Sequence, residues 1–368
     1  MKILEITNSG ALSGGVFQML ELTKSLVKMG HDVTIACRPD SKIKKKAIKL
    51  NMKLIEFPLL RDIDIKSMYS LYKHIKSERY DIVHAHHPKA HMIAMVATFF
   101  AKTPVFVVSR RVSFSIKEGK GILNPLKYTF GRIDMILSVA NAIRELLIRE
   151  GVKPDKVRTV YSGTDPERFN PETVTDSVRK ELGLKADDIV ITKVGHYSRW
   201  KGHGCFFDAA RRVLEHNKDV KFILAGNGTH RDIVKEKLEE LGIVDSFYRL
   251  GMRSDVPEIL KASDIAVNAA DRGEGLSGSL REALFMGLPV VASDIAGNRE
   301  VCIPEKTGIL FPMKDYAALA DALITLVDSP DMRADMSRNG RELMADEFTV
   351  DAMVKKTLAI YEELLEKR

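Results

Sequence analysis

The feature that most restricts the fold is an alternation of β-strand and helix segments, which begins at residue 2 and starts again at residue 189. Apolar runs rich in β-branched residues predict strands at 2–7, 32–36, 81–85, 105–109, 135–140, 189–194, 221–225, 247–250, 265–269 and 289–293. Helical periodicity predicts helices at 16–28, 142–150, 205–216, 230–241, 256–262 and 279–286. Such alternation favours parallel sheets covered on both faces. The sequence therefore predicts an α/β protein with two doubly wound, Rossmann-like domains.

A segment of turn-forming residues separates the two series. Residues 161–171 read Tyr-Ser-Gly-Thr-Asp-Pro-Glu-Arg-Phe-Asn-Pro, and their Gly, Asp-Pro and Asn-Pro elements are typical of a linker. We therefore place the first domain at 1–168 and the second at 169–349. Ligands of such sheets bind beyond the carboxyl ends of the strands, and paired domains bind them in the cleft between the domains.

Composition places the chain among globular proteins. Its 368 residues are 45% hydrophobic and 29% charged, which excludes disordered, fibrous and polytopic membrane proteins. The longest apolar stretch, near 92–101, is about half the roughly 20 residues of a spanning helix. Glu5 interrupts the N-terminus where a signal peptide needs apolar residues, so we expect a cytosolic protein. The three cysteines are far apart, which disfavours disulfides and cysteine-bound zinc.

Charge is unevenly distributed along the chain. Residues 1–170 have a formal net charge of +13, and residues 171–368 have −6. A basic half favours an anionic partner: nucleic acid, a phosphorylated ligand or an anionic lipid surface. Lys42–Lys53 interleaves six lysines with apolar residues at helical spacing, which predicts a basic amphipathic helix that either binds an anionic membrane or faces solvent. Nucleic acid is disfavoured because no basic stripe carries interleaved aromatic residues.

Two glycine-containing loops lie between a strand and a helix. The first, Gly10 to Gly15, lacks the GxGxxG spacing; it either lets the backbone approach a phosphate or sugar, or is a tight turn without a ligand. The second, 194–204, adds Arg199 and Lys201, two cations that would stabilise a departing diphosphate. The alternative for the second loop is a solvated surface loop.

The strongest local signal is Gly-Glu-Gly-Leu-Ser-Gly-Ser-Leu-Arg-Glu-Ala-Leu at 273–284. Seven residues separate Glu274 from Glu282, and the small residues between them begin a helix whose backbone N–H groups suit phosphate oxygens. The two carboxylates would accept hydrogen bonds from sugar hydroxyls. Two alternatives require no ligand: Ser279 and Glu282 have the spacing of a capping box, and Glu274 is a solvated loop acid.

These segments, in their order, resemble the retaining glycosyltransferases of family 4, which have the GT-B fold. The Glu-x7-Glu pattern follows Leu-Gly-Met-Arg-Ser-Asp-Val-Pro at 250–257 and Ala-Ser-Asp-Ile-Ala-Val at 262–267. The other matching segments are the N-terminal glycine loop, 81–87, 161–171, 200–202, 225–228, 286–293, 297–300 and 307–312. The resemblance covers nearly the whole chain. It implies an acceptor-binding N-terminal domain and a donor-binding C-terminal domain facing across a cleft, with a C-terminal helix, about 350–368, that packs back on the first domain.

The resemblance also implies roles for individual residues. Glu282 would hold the nucleotide ribose, Glu274 would contact the donor sugar, and the backbone of 275–279 with Lys201 would bind the diphosphate. The loop at Met252 and Arg253 would border the base. The implied donor-binding set is Gly14, Gly15, His196, Gly226, Gly228, Met252, Arg253, Gly275, Leu276, Ser277, Gly278, Ser279 and Glu282. The candidate catalytic residues are Glu274 and Lys201, together with Arg199, which is proposed from its own position in the loop.

The implied activity is that of a hexosyltransferase-type enzyme. It would transfer a sugar with retention from a nucleoside-diphosphate sugar, with UDP favoured, to a glycan or lipid-linked acceptor in cell-envelope polysaccharide or lipopolysaccharide synthesis. No metal and no other cofactor is expected. We expect the enzyme in the cytoplasm, with peripheral attachment to the inner face of the membrane as an option. The alternatives are a nucleotide-sugar epimerase or hydrolase of the same fold, and a catalytically silent nucleotide-sugar-binding protein.

Two positions depart from the family pattern. His196 stands where the family usually has an arginine, and Arg199 is a candidate substitute. Residues 109–113 read Ser-Arg-Arg-Val-Ser where a catalytic histidine is frequent, so Arg110 and Arg111 become candidates for binding an anionic acceptor or stabilising leaving-group charge.

Four histidines between residues 84 and 91 raise the question of a metal site. We disfavour a metal because no carboxylate or cysteine completes the site nearby. His84 and His86 share one side of a predicted strand and are acceptor-side candidates at the floor of the cleft.

Overall fold

The computed structural model describes residues 1–11, 13–58, 64–118, 123–129 and 131–368. These residues form two compact units. The first unit contains residues 1–163 together with 350–368, and the second contains 164–349. The chain therefore passes from one unit to the other twice, at 163–164 and at 349–350, whereas the sequence placed the first boundary at 168–169.

The described residues contain thirteen β-strands and fifteen α-helices. The strands are β1 (Lys2–Ile6), β2 (Asp32–Cys37), β3 (Lys53–Glu56), β4 (Ile82–Ala85), β5 (Val105–Arg110), β6 (Met135–Ser138), β7 (Val157–Thr159), β8 (Val190–Val194), β9 (Lys221–Ala225), β10 (Phe247–Gly251), β11 (Ile265–Asn268), β12 (Val290–Ser293) and β13 (Gly308–Phe311). The helices are α1 (Gly14–Lys28), α2 (Lys42–Lys49), α3 (Ile65–Glu78), α4 (Pro88–Ala101), α5 (Leu123–Thr129), α6 (Asn141–Arg149), α7 (Ser177–Leu182), α8 (His203–His216), α9 (Asp232–Glu240), α10 (Val256–Lys261), α11 (Gly278–Phe285), α12 (Ala296–Arg299), α13 (Tyr316–Asp328), α14 (Pro330–Glu347) and α15 (Val350–Glu366).

The first unit is built on a seven-stranded parallel sheet in the order β3-β2-β1-β4-β5-β6-β7. Its central strands are buried on both faces, which is why they are nearly continuous apolar runs. The register places Glu5 of β1 beside His84 of β4. Helix α15 buries Val354 and Tyr361 in the same core as the central strands.

The second unit has a six-stranded parallel sheet in the order β10-β9-β8-β11-β12-β13. A large buried cluster lies between this sheet and helices α8 and α13. It contains five phenylalanines, of which Phe222 and Phe247 stack with ring centroids 4.7 Å apart. The connections from β8 to α8 and from β11 to α11 therefore begin on rigid central strands. Two doubly wound α/β units are what the sequence predicted.

The basic segment at 42–53 is shorter as a helix than predicted. Helix α2 ends at Lys49, and Lys53 is the first residue of strand β3. The helix buries Ile43 and Ala47 against the core of the first unit, so these two apolar residues have an internal role. Among the described residues, no helix combines the length and the apolar character needed to cross a membrane.

Candidate active site

The loop after β8 is held close to the end of β11 by a glycine. Gly202 has φ +61°, and a Cβ there would lie 1.7 Å from the carbonyl oxygen of Ala269. A side chain therefore cannot be added at this position without moving one of the two loops. The close approach brings the 3-10 turn at 199–201 next to the loop that leads into α11, and Trp200 accepts a backbone hydrogen bond from Asp271.

Lys201 and Glu274 meet where these two loops approach each other. Lys201 Nζ donates to Glu274 Oε1, and the two side chains are 26% and 14% exposed. His196 lies in the same electrostatic environment: burial and the Lys201 charge lower its pKa below the ordinary value, with Glu274 opposing. The imidazole of His196 is therefore neutral at pH 7. The structure brings these three predicted residues together.

Arg199 takes a different direction from Lys201. Its guanidinium carbon lies 5.5 Å from the centroid of the exposed Trp200 ring, a cation–π arrangement. Arg272 lies over the same ring at 3.6 Å. Arg199 is thus on the surface of this loop, and whether it takes the place of the family's arginine stays a prediction.

Lys193 is a buried cation that the sequence analysis did not identify. It lies within β8, is 3% exposed, and its Nζ is 5.8 Å from the centroid of the Phe206 ring. Burial and the nearby Lys201 charge lower its pKa to about 7, with Glu274 opposing. The only sequence signal is a single lysine in an otherwise apolar strand.

The start of α11 corrects one interpretation of the sequence. The N-cap is Ser277, whose Oγ accepts from the Leu280 N–H, and Asn268 Nδ2 donates to the same Oγ at 2.8 Å. The capping box of Ser279 with Glu282 is therefore wrong, because Ser279 already lies within the helix. The carboxylate of Glu282 is not needed as a cap and is available for another role.

Glu282 lies on α11 in a partly buried position. Burial raises its pKa above the ordinary value, and the charges of Arg281 and Arg168 oppose this shift. Arg281 is buried and donates to Thr164 Oγ1 at 2.6 Å, and burial lowers its pKa to about 10. A buried cation thus lies beside the carboxylate that the family pattern assigns to the ribose.

Glycines also allow the loops around the site to pack backbone against backbone. A Cβ at Gly226 would lie 2.2 Å from the Gly195 carbonyl oxygen, and one at Gly228 would lie 3.3 Å from Tyr197 Cβ. A Cβ at Gly297, in α12, would lie 2.5 Å from the Gly275 carbonyl oxygen. Gly226 and Gly297 therefore support the His196 loop and the Glu274 loop from behind, and Gly297 has this role without being one of the predicted site residues.

Arg253 is engaged by two carboxylates. Its Nε donates to Asp255 at 2.8 Å, and its Nη1 donates to Glu181 at 2.6 Å. The neighbouring Met252 is 70% exposed. The backbone and Met252 are thus the parts of this loop that remain open to a ligand, and the role of the loop beside the base stays a prediction.

Glu5, His84 and His86 form a buried cluster in the first unit. Their ligand-type atoms lie within 4.8 Å of one another, and the two imidazole centroids are 3.9 Å apart. The expectation that no carboxylate lies near these histidines is wrong, because Glu5 is distant in sequence but occupies the adjacent strand. Tyr361 of α15 completes the cluster, with its Oη 2.6 Å from His84 Nδ1.

Arg110 and Arg111 have different surroundings. Arg110 is buried and donates to Tyr128 Oη at 3.2 Å and to the carbonyl of Phe114. Arg111 donates to His86 Nδ1 at 3.3 Å. A Cβ added at Gly15 would lie only 2.9 Å from the Cδ of Arg111. Of the two candidates, Arg111 is therefore the one beside the N-terminal glycine loop, whereas Arg110 is buried, and its acceptor-side role stays a prediction.

Comparison with known proteins decides the family. The model for glycosyl transferases group 1 matches residues 174–343, and the model for glycosyltransferase family 4 matches residues 12–168. The chain is 31% identical, over 82% of its length and 80% of the relative, to the Escherichia coli UDP-Gal:alpha-D-GlcNAc-diphosphoundecaprenol alpha-1,3-galactosyltransferase. This chain belongs to the family 4 glycosyltransferases. The family and the enzyme class expected from the sequence are confirmed.

Further relatives and solved structures agree with this assignment. The glycosyltransferase is 27% identical, over 65% of its length and 68% of the relative, to the lipopolysaccharide core mannosyltransferase LpsB of Rhizobium meliloti. Its fold superposes on Anabaena HepE, crystallised with UDP, with a TM-score of 0.88 at 20% identity over 99% and 100% of the two chains. It also superposes on WaaG, a glycosyltransferase involved in lipopolysaccharide biosynthesis, with a TM-score of 0.74 at 17% identity over 98% and 99%. These likenesses confirm the GT-B fold class.

Proposed function

We propose that this glycosyltransferase transfers a hexose from a UDP-sugar to a lipid-linked glycan acceptor of the cell envelope. The main support for a nucleotide-sugar donor site is the hydrogen bond from Lys201 to Glu274, in the loop that precedes α11. The substrate class is supported by the name of the Escherichia coli relative, whose donor is UDP-galactose and whose acceptor is a diphosphoundecaprenol-linked sugar.

The chemistry assigned to this loop pair is the stabilisation of a leaving diphosphate. When the bond to the sugar breaks, negative charge grows on the phosphate, and preorganised donors aimed at that charge lower the barrier. Lys201 supplies a cation, and the first turn of α11, at Gly278 and Ser279, supplies backbone N–H donors. Glu282 would accept from the ribose hydroxyls and Glu274 from those of the sugar. These groups can balance the diphosphate charge without a metal ion.

Retention of configuration is part of the proposal. A retaining enzyme that forms a covalent intermediate needs a free carboxylate nucleophile. Glu274 accepts a hydrogen bond from Lys201, which lowers its nucleophilicity. Attack by the acceptor from the side of the leaving group, with the diphosphate taking the acceptor's proton, requires no such nucleophile and fits this pairing.

Arg111 is proposed to bind an anionic group of the substrate in the first unit. It occupies the segment where the family often has a histidine, and it lies beside Gly15 at the N-terminal end of α1. A guanidinium matches phosphate geometry and stays charged at every physiological pH. The net charge of +13 on residues 1–170 also favours a phosphorylated acceptor.

The surface of the first unit supports attachment to an anionic membrane. Helix α2 exposes Lys42, Lys45 and Lys49, and Ile48 beside them is 53% exposed. Exposed lysines interleaved with apolar side chains suit the boundary between lipid headgroups and acyl chains. Liposomes with and without phosphatidylglycerol test this in a flotation assay, where Lys42, Lys45 and Lys49 changed together to glutamine should reduce binding only to the anionic vesicles.

A ligand panel followed by product analysis tests the proposed function. UDP should raise the melting temperature more than GDP, ADP or CMP, because a ligand that binds only the native state stabilises it. UDP-galactose, UDP-glucose and UDP-GlcNAc are then incubated with undecaprenyl-diphosphate-linked GlcNAc, and the anomeric configuration of the product is read by NMR. An inverted product overturns retention. Free or epimerised sugar formed without an acceptor favours the hydrolase or epimerase alternative, and donor binding with no turnover favours a silent binding protein.

A further inference from the structure

The buried cluster around Glu5 uses every nitrogen of its two imidazoles. His84 Nδ1 and Nε2 lie 2.6 Å from Tyr361 Oη and 2.8 Å from Ser109 Oγ. His86 Nε2 contacts Glu5 Oε2, and His86 Nδ1 lies 3.3 Å from Arg111 Nη2. A metal ion would have to displace these partners and would lie close to the Arg111 cation. The arrangement therefore fits a hydrogen-bond network better than a metal centre.

Arg111 determines the tautomer of His86. A guanidinium nitrogen only donates, so His86 Nδ1 accepts the hydrogen bond from Arg111. The single proton of the neutral ring is then on Nε2, where it is donated to Glu5. Burial and the Arg111 charge lower the pKa of His86 well below its ordinary value, which keeps the ring neutral. Glu5 thus holds His86 in the tautomer that can accept from Arg111.

The second carboxylate oxygen of Glu5 also accepts a hydrogen bond. Tyr361 Oη donates to Glu5 Oε1 at 3.4 Å. Because that is the only proton of the hydroxyl, His84 Nδ1–H must donate to Tyr361, and His84 Nε2 accepts from Ser109. Each oxygen of the Glu5 carboxylate therefore has a donor, and the carboxylate cannot turn away from His86 without losing one.

The contacts that hold the Arg111 guanidinium in position include those with His86, Ser162 and Gly15. Its Nη2 donates to His86, its Nη1 donates to Ser162 Oγ at 3.4 Å, and the absence of a Cβ at Gly15 leaves room for its Cδ. The first of these contacts is backed by the buried carboxyl group of Glu5. In a catalytic triad, a carboxylate orients an imidazole, and the imidazole contacts a nucleophile. Glu5 and His86 have the same arrangement here, but the group that His86 contacts is the Arg111 cation.

We infer that Glu5 and His86 are positioning residues that orient the guanidinium of Arg111 toward an anionic group of the substrate. This inference rests on the proposed role of Arg111 in sugar transfer. Its structural part, the direction of each hydrogen bond, is independent of the substrate and has its own test.

The structural part is tested by NMR of the full-length protein labelled with ¹⁵N-histidine, using long-range ¹H–¹⁵N correlations. The spectrum of His86→Gln assigns the His86 signals. The expected wild-type spectrum shows His86 protonated on Nε2 at pH 7.5, and Arg111→Met should shift the Nδ1 resonance as it loses its donor. Protonation of His86 on Nδ1 in the wild-type protein overturns the inference.

The catalytic part is tested by the release of UDP from UDP-galactose with undecaprenyl-diphosphate-linked GlcNAc as the acceptor. His86→Leu should lower kcat about 10- to 100-fold, the size expected when a catalytic group is misplaced by about 1 Å, and leave the KM for UDP-galactose within about twofold. His86→Gln retains one donor and one acceptor and should recover part of that loss. Guanidinium chloride at millimolar concentration should partly restore Arg111→Ala but not Arg111→Ala combined with His86→Leu.

His91→Leu is the matched control. His91 is a fully buried histidine of the same unit, packed against the Tyr128 ring at 4.9 Å and outside the Glu5 cluster. If His86→Leu lowers kcat no more than His91→Leu while Arg111→Met is inactive, the inference fails and the role of Arg111 stands. If Arg111→Met is fully active, both fail. If the wild-type protein does not turn over UDP-galactose, the proposed substrate fails and the NMR spectrum alone decides the inference.

Discussion

Lys201 donates a hydrogen bond to the carboxylate of Glu274, although the two residues are 73 positions apart. Lys201 closes the loop after β8 and Glu274 lies in the loop after β11, so the pair joins the two loops at neighbouring central strands of the second unit. The pair has two consequences: the ammonium group is held in one place, and the carboxylate is prevented from acting as a free nucleophile. Both suit a site for a leaving diphosphate.

Removal of the Lys201 charge should damage transfer more than folding. Lys201→Met is expected to lower kcat/KM for the UDP-sugar by about 100- to 1,000-fold, the loss typical of removing one preorganised donor from a developing anion. Steady-state release of UDP measures it, and isothermal titration with UDP gives the loss of ground-state affinity. Arg211→Gln, which removes an exposed cation of α8, is the control. Equal rates for the two variants would refute the assignment.

Gly297 should be required for activity through the position of the Glu274 loop, and not through contact with the substrate. A methyl group at this position would lie 2.5 Å from the Gly275 carbonyl oxygen and 2.7 Å from that of Glu274. Gly297→Ala must therefore displace the loop that carries Glu274, and we expect a loss of kcat/KM of at least tenfold. Gly204→Ala, where a Cβ meets nothing within 4 Å, is the matched control. A fully active Gly297→Ala enzyme would contradict this role.

The sequence predicted what depends on local patterns. Repeated strand and helix periodicity predicted both units, and the order of short motifs predicted the family and placed Lys201, His196 and Glu274 in one site. The strands that were not predicted, β3, β7 and β13, lie at sheet edges and are less buried than the equally short central strands, so their apolar signal is weaker. The basic segment was extended into β3 for the same reason.

The relationships that were not predicted are long-range. Glu5 and His84 pair only because β1 and β4 are neighbours in the sheet, and Tyr361 reaches them from the C-terminal helix. No spacing rule connects residues 5, 84 and 361. Lys193 was missed because a single lysine in a strand gives no indication of whether it faces solvent or the core. The cap of α11 was misassigned because Ser279 has capping-box spacing to Glu282, whereas Ser277, the observed cap, is followed three residues later by Leu280 and so lacks this signal.

The pH dependence of the unfolding free energy should show that the pKa of Glu5 is raised. Burial raises its pKa from 4.5 to about 7, with His84, Tyr361 and Arg111 opposing. Between these values the folded state binds more protons than the unfolded state, so this group makes the protein less stable as pH rises, by up to about 3 kcal/mol. Glu5→Gln should therefore flatten the decline of the unfolding free energy between pH 5 and 8, measured by urea denaturation.

The control for Glu5 has a shift of the opposite sign. The exposed Glu78 has its pKa held below the ordinary value by a hydrogen bond from Lys2, so its contribution to stability is lost only as pH falls below about 4.5. Glu78→Gln should leave the slope between pH 5 and 8 unchanged. An unchanged slope in Glu5→Gln as well would mean that Glu5 titrates as an ordinary carboxyl.

Lys193 should cost the protein stability near neutral pH. Its pKa is lowered by burial from 10.5 to about 7, so the unfolded state binds more protons across that window and stability rises with pH through it. Lys193→Met keeps the volume without the charge and should raise the unfolding free energy at pH 7 by up to about 4 kcal/mol, with the gain fading toward pH 10. Urea denaturation at pH 7 and at pH 9.5 measures it. A variant that is less stable than the wild type at pH 7 would contradict the prediction.

Gly15 should control the position of Arg111 through space alone. A Cβ at Gly15 would lie 2.9 Å from Arg111 Cδ, and the backbone there is helical, so alanine adds a steric conflict with a flexible side chain and no backbone strain. Gly15→Ala should therefore leave the melting temperature almost unchanged and lower kcat about tenfold, because the guanidinium moves away from His86. Gly10→Ala, whose Cβ meets nothing within 4 Å, gives the effect of a methyl group elsewhere in the loop. If Gly15→Ala lowers kcat while the Nδ1 resonance of His86 keeps its wild-type position, the loss arises at the glycine loop itself and not through Arg111.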